Sequence, residues 1–62
     1  MTNHKEPCYR VFAPIARAEW PVFSEVFHVL SDAERYRDAV LASDPFADAR
    51  IETVTRDGHP LN

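Results

Sequence analysis

Cysteine, glycine and lysine are nearly absent from this sequence. Its 62 residues include one cysteine, Cys8, one glycine, Gly58, and one lysine, Lys5. A single cysteine excludes an internal disulfide, and no Cys or His pair has the spacing of a structural zinc site. One glycine excludes a glycine-rich loop that would hold a phosphate or form an oxyanion hole. We therefore predict a domain without a metal or a cofactor.

Long apolar runs and a surplus of basic residues are also missing. No segment approaches the roughly 18 apolar residues of a membrane span, and no signal-peptide pattern opens the chain. Seven basic and ten acidic residues give a formal net charge of −3. A sequence-independent nucleic-acid binder needs a Lys/Arg-rich face that displaces phosphate counterions. We therefore expect a cytoplasmic protein with no direct nucleic-acid or membrane partner.

The clearest predicted element is a helix over about 31–43. Ser31 is a suitable N-cap, and Glu34 can complete a capping box with it. Apolar residues then follow at helical spacing. Pro45 disfavours helical backbone at the residue before it, so the helix should end by residue 43. A turn follows, in which Phe46 is the predicted apolar anchor.

Alternation of apolar and polar residues predicts strands over 8–15 and 49–56. The segment 22–30 is rich in valine and phenylalanine and fits a third strand. Its apolar residues also fit one long helix over 21–42. We favour the strand because Trp20 is a poor N-cap and the capping box at Ser31 indicates a new helix start.

The predicted fold is a small α+β domain with the order β-β-α-β, in which a three-stranded, mainly antiparallel sheet carries one helix on one face. The alternative is a β-α-β domain with the long helix. The predicted boundaries are a flexible N-terminal tail at 1–7, a single domain at 8–56 and a C-terminal tail at 57–62.

The apolar residues outnumber those that one helix and a small sheet can cover, which predicts an exposed apolar face. We predict a non-enzymatic protein-interaction module that docks on a larger protein. A homodimer is also expected, because so small a sheet is commonly completed by a second subunit. Trp20 and Arg17 belong to residue types that anchor interfaces, and Phe23 lies close by in the sequence.

Two alternatives remain open. The first is an acidic inhibitor, similar in kind to phage anti-defence or anti-CRISPR proteins, whose acids mimic phosphates on a basic nucleic-acid-binding surface. The second is an enzyme with a site between subunits, although no spacing places a nucleophile beside a base. The full set of predicted partner-binding residues is Trp20, Arg17, Phe23, Asp32, Glu34, Asp38, Asp44 and Asp48.

Overall fold

A computed structural model describes residues 7–61 and contains two strands and one helix, in the order β1 (Cys8–Phe12), α1 (Leu30–Ser43) and β2 (Arg50–Val54). β1 and β2 pair antiparallel in one sheet. The α+β class, the helix and the antiparallel sheet are therefore confirmed. The predicted N-terminal tail, except for its last residue, and Asn62 lie outside the described residues.

The third predicted strand is wrong, and so is the alternative long helix. Within residues 7–61 the sheet has two strands, and residues 22–29 are not helical. The chain over 22–27 instead follows the second edge of β1 through two isolated antiparallel bridges, Tyr9 to Phe27 and Phe12 to Phe23. Between the bridges β1 advances three residues and its neighbour four, so the neighbour contains one extra residue, as in a β-bulge.

Ser24 provides the physical reason for this irregular pairing. Its backbone N–H donates to the Val11 carbonyl at 2.9 Å. The Val11 N–H, however, donates to Ser24 Oγ at 2.8 Å, and that hydroxyl donates to the Glu25 carbonyl at 2.8 Å. A side-chain hydroxyl therefore takes the place of a backbone carbonyl in the ladder. The β-propensity of the segment gave no indication of this exchange.

The predicted N-cap at Ser31 and its capping box with Glu34 are also wrong. Val29 is the N-cap residue of α1, with extended backbone (φ −121°, ψ 129°) and no side-chain hydrogen bond to the first turn. The bridge between Phe27 and Tyr9 holds the chain on the edge of β1 up to Phe27. The helix begins directly after that constraint, which places Ser31 inside its first turn.

Replacing Ser31 by alanine should change the free energy of unfolding by no more than about 0.5 kcal/mol, because the side chain is exposed and such surface positions contribute little. Urea unfolding monitored by circular dichroism measures the change. A loss above about 1 kcal/mol would show that the hydroxyl caps the helix in solution, as the sequence pattern indicates.

Small side chains form the core. Ala13, Val40 and Ala47 form a buried cluster between α1, the end of β1 and the loop before β2. Among the described residues the largest fully buried side chains are Val11, Val40 and Val54. Aromatic and long aliphatic residues pack at the edge of this core or lie outside it. Most of the large apolar residues in the described part of the chain therefore keep at least partial contact with water.

After β2 the chain turns back at Gly58. This glycine has φ of 88°, a left-handed conformation that side chains disfavour, and its N–H donates to the Thr55 carbonyl at 2.9 Å. Leu61 then donates its N–H to the Thr53 carbonyl at 3.3 Å. These contacts cover part of the outer edge of β2. The division of the chain into a domain at 8–56 and a tail at 57–62 stays a prediction.

Candidate docking surface

One end of the molecule contains the end of β1, the start of β2 and the C-terminus of α1. Hydrogen bonds and strand pairing fix this arrangement. The Ala13 N–H donates to the Val22 carbonyl at 2.8 Å, and Phe12 lies opposite the first residue of β2. The Arg17 N–H donates to the Asp44 carboxylate at 3.1 Å, which ties the loop after β1 to the end of α1.

Four large apolar side chains in the segments at this end are exposed to water, and we call this end of the molecule the apolar end. The exposed fractions are 65% for Ile15, 46% for Val22, 47% for Phe23 and 85% for Phe46. Three further large apolar residues of the described chain are exposed at the opposite end, where α1 begins and β2 finishes. These are Val29, Leu30 and Leu61.

Phe23 is held in place by two contacts on the sheet. Its ring stacks on Phe12 with the centroids 5.1 Å apart and the planes at 25°. The Arg10 guanidinium lies 4.1 Å from the centroid of the same ring, a favourable cation–π distance. Arg10 also donates to Glu52 at 2.9 Å across the strand pair. The half-exposed ring is thereby ordered before any partner binds, which lowers the entropic cost of binding.

Asp44 builds the turn that carries Phe46. Its backbone N–H donates to the Val40 carbonyl at 2.7 Å, and its carbonyl accepts the Ala47 N–H at 3.0 Å. Its carboxylate accepts the N–H of Phe46 at 3.3 Å and that of Arg17 at 3.1 Å. Asp44 and Ala47 are buried, while Phe46 between them points outward. Phe46, the predicted apolar anchor of the turn, therefore does not fix the turn to the core.

Trp20 and Arg17 lie in the loop between β1 and Val22, which also contains Ile15. The Trp20 ring is half-buried and meets Tyr36 edge-on, with the centroids 5.7 Å apart, so it covers the core of the protein. Its Nε1 atom is buried without a hydrogen-bond partner among the described residues. Arg17 is exposed and contributes its backbone N–H to the Asp44 contact. Of the predicted aromatic anchors, Phe23 is the more accessible.

The five predicted acidic residues do not share one surface. Asp32 and Glu34 lie near the start of α1, at the end opposite the apolar end. Asp38 and Asp48 each form an ion pair with a nearby arginine at 3.0 Å. Asp44 is 6% exposed and directs its carboxylate into the protein. The structure thus brings Asp44 and Asp48 close to the apolar end and separates the other three from it.

Sequence reasoning did not include Ile15, Val22 and Phe46 among the binding residues. Apolar residues in short connecting segments can belong to the core or to the surface, and the sequence does not distinguish the two. Only the packing of the helix shows that these three residues lie outside the core. One signal was present: proline at position 45, directly after the helix, restricts the backbone before Phe46. A rigid turn was therefore predictable, although the outward direction of its aromatic side chain was not.

The described residues show little that suggests reaction chemistry. Cys8 Sγ lies 3.5 Å from His28 Nδ1, but the thiol is buried. No group of three possible metal ligands occurs within residues 7–61. Across the same residues no helix is both long enough and apolar enough to cross a membrane. Comparison of the chain with protein-family models, with curated proteins and with solved structures finds no match.

Proposed function

We propose that this chain is a cytoplasmic, non-enzymatic protein-interaction module that docks on a larger protein through the apolar end. The observation that carries the proposal is the placement of apolar side chains. The largest fully buried residues of the described chain are valines, whereas Ile15, Phe23 and Phe46 remain 47–85% exposed. Exposed apolar surface is often found at interaction sites, and its removal from water favours association.

The rigidity of the apolar end supports the same proposal. Val22 is fixed to the edge of β1 by a backbone hydrogen bond, and Phe23 contacts both an aromatic ring and a guanidinium. The loop that contains Ile15 is tied to the end of α1 through Asp44. A surface whose loops and rings are already ordered loses less conformational entropy when a partner binds.

The positions of the acids favour docking over the alternative of an acidic inhibitor. Phosphate mimicry requires several carboxylates on one accessible surface. Asp38 and Asp48 are paired with arginines, Asp44 is buried, and Asp32 and Glu34 lie at the opposite end. The enzyme alternative has less support still, because the Cys8 thiol near His28 is buried.

A pair of double variants tests the proposal. Ile15→Ser with Val22→Ser should strongly reduce recovery of a stoichiometric protein partner from lysate of the source cells, because it makes two of the four exposed apolar side chains of the apolar end polar. Val29→Ser with Leu61→Ser alters side chains of similar exposure at the opposite end and should recover the partner as well as the unchanged protein does. Affinity capture followed by mass spectrometry provides the measurement.

Circular dichroism of all three proteins checks that each one folds, since substitutions at exposed positions should change stability by about 0.5 kcal/mol or less. Equal recovery by the two double variants would place any docking surface away from the apolar end. If the unchanged protein recovers no partner, the proposed function is wrong.

A further inference from the structure

β2 has an outer edge at which the sheet could be extended by another strand. Ile51 lies opposite Val11 in the register of the sheet, and both backbone groups of Val11 bond to Ser24 on the other side of β1. Backbone groups alternate in direction along an antiparallel strand, so those of Ile51 and Thr53 point away from β1. An edge of this kind can pair with another chain.

Two hydrogen bonds attach the end of the described chain to this edge, and we call residues 59–61 the strap. The Thr55 N–H donates to the His59 carbonyl at 2.7 Å, and the Leu61 N–H donates to the Thr53 carbonyl at 3.3 Å. The strap therefore takes up outward-facing groups at the end of β2 and just after it. Ile51 is the outward-facing residue of β2 that the strap leaves uncovered.

Pro60 closes the outer side of the strap. It forms an isolated antiparallel bridge with Val54, midway between the two hydrogen bonds of the strap. At that position of an antiparallel pair the backbone groups of the strap point away from β2. Proline has no N–H to donate to a further strand, and proteins place it on sheet edges for this reason. The strap thus covers one edge and presents a poorer one.

The backbone, rather than buried apolar surface, holds the strap in place. His59 and Pro60 are exposed, and Leu61 is 40% exposed. The turn that brings the strap back depends on Gly58, whose φ of 88° is a left-handed conformation that side chains disfavour. Changes to this turn and to one N–H group should therefore be sufficient to release the strap.

We propose that the strap is a protective device, which prevents β2 of one copy of this chain from pairing with β2 of a second copy. Release of the strap then allows self-association through this edge. The strap acts independently of the proposed docking function.

A second copy is the occupant that fits the released edge. Two β2 strands related by a twofold axis pair antiparallel and present the same outward-facing backbone groups to each other. Any such pairing that extends beyond Ile51 requires the groups of Thr53, where Leu61 now lies. The strand is also rich in β-branched residues, which favour pairing.

Sedimentation velocity of full-length variants tests the inference. The release variant combines Gly58→Val, which disfavours the turn, with Leu61→Pro, which removes the N–H that bonds to Thr53. Leu61→Ala is the control, because it shortens the same side chain and keeps the N–H. A further variant adds Thr53→Pro to the release variant and so removes an outward-facing N–H without loss of a bond to β1. Its own control adds Thr53→Ala instead.

Hydrogen exchange of the Thr55 amide reports whether the strap is bound. We expect this amide to be protected in the unchanged protein and in Leu61→Ala. In the release variant it should exchange at least about tenfold faster, because its acceptor is lost. The association constant of the release variant should be at least about tenfold higher than that of the unchanged protein. Adding Thr53→Pro should reverse this increase, whereas adding Thr53→Ala should not.

Three results would overturn the inference. Faster exchange at Thr55 without stronger association would show that the strap does not protect the edge. Association that Thr53→Pro does not reverse would place the contact on another surface. A Thr55 amide that is unprotected in the unchanged protein, or equally protected in the release variant, would contradict the contacts of the strap. Circular dichroism checks folding, and if the release variant unfolds, Leu61→Pro alone is compared with Leu61→Ala.

Discussion

Replacing Asp44 by alanine should lower the free energy of unfolding by about 2–4 kcal/mol. The buried carboxylate accepts two backbone N–H groups, those of Arg17 and Phe46. Each N–H left without an acceptor in a partly buried position costs about 1–3 kcal/mol. A chain this short has only a small free energy of unfolding. The variant should therefore be substantially unfolded near the growth temperature of the source cells. Urea unfolding monitored by circular dichroism measures the loss.

Asp44→Asn separates the hydrogen bonds of this carboxylate from its charge. The amide keeps one acceptor oxygen but directs an NH₂ group towards the second N–H, so the loss should be about half that of Asp44→Ala. Removal of a negative charge near the C-terminus of α1 is by itself slightly favourable. A loss below about 1 kcal/mol in Asp44→Ala would contradict the structural role of this carboxylate.

Replacing Ser24 by alanine should cost about 1–3 kcal/mol, because the Val11 N–H loses its acceptor and Val11 is 1% exposed. Ser24→Thr keeps a hydroxyl at the same position and should retain most of the stability. Thermal unfolding of both variants gives the comparison, and hydrogen exchange of the Val11 amide reports the bond directly. That amide should exchange faster in Ser24→Ala than in Ser24→Thr.

Equal stability of Ser24→Ala and Ser24→Thr would show that a water molecule or a backbone carbonyl replaces the hydroxyl at little cost. The irregular edge beside β1 would then owe its shape to some other feature of the segment 22–27. A loss confined to Ser24→Ala would establish that one side chain determines how this segment pairs with β1.

Stability and docking should respond differently at two neighbouring positions. Phe46 is exposed and Asp44 is buried. Phe46→Ala should therefore weaken docking and leave the free energy of unfolding nearly unchanged. Asp44→Ala should reduce both, because it loosens the turn that presents the ring. The sequence predicts that Asp44 is a partner-binding residue. In the structure its carboxylate accepts two backbone N–H groups, so Asp44 would affect binding by holding the turn that carries Phe46.

Local patterns in the sequence were sufficient for the α+β class, for the position of the helix and for the two strands that pair. Apolar residues at helical spacing located α1, and Pro45 marked its end within two residues. Alternation located β1 and β2. Each of these signals depends on residues a few positions apart, where the period of the backbone alone decides which side chains share a face.

The start of α1, the pairing of the segment 22–27 and the exposure of Phe46 were decided by the tertiary structure. The hydroxyl of Ser24 acts on an amide 13 residues away, and the carboxylate of Asp44 acts on one 27 residues away. Those contacts fix the loops, and the loops determine which apolar residues the helix covers. The sequence alone determined that the chain contains more apolar side chains than its core can hold, and the fold decided that four of them lie exposed at one end.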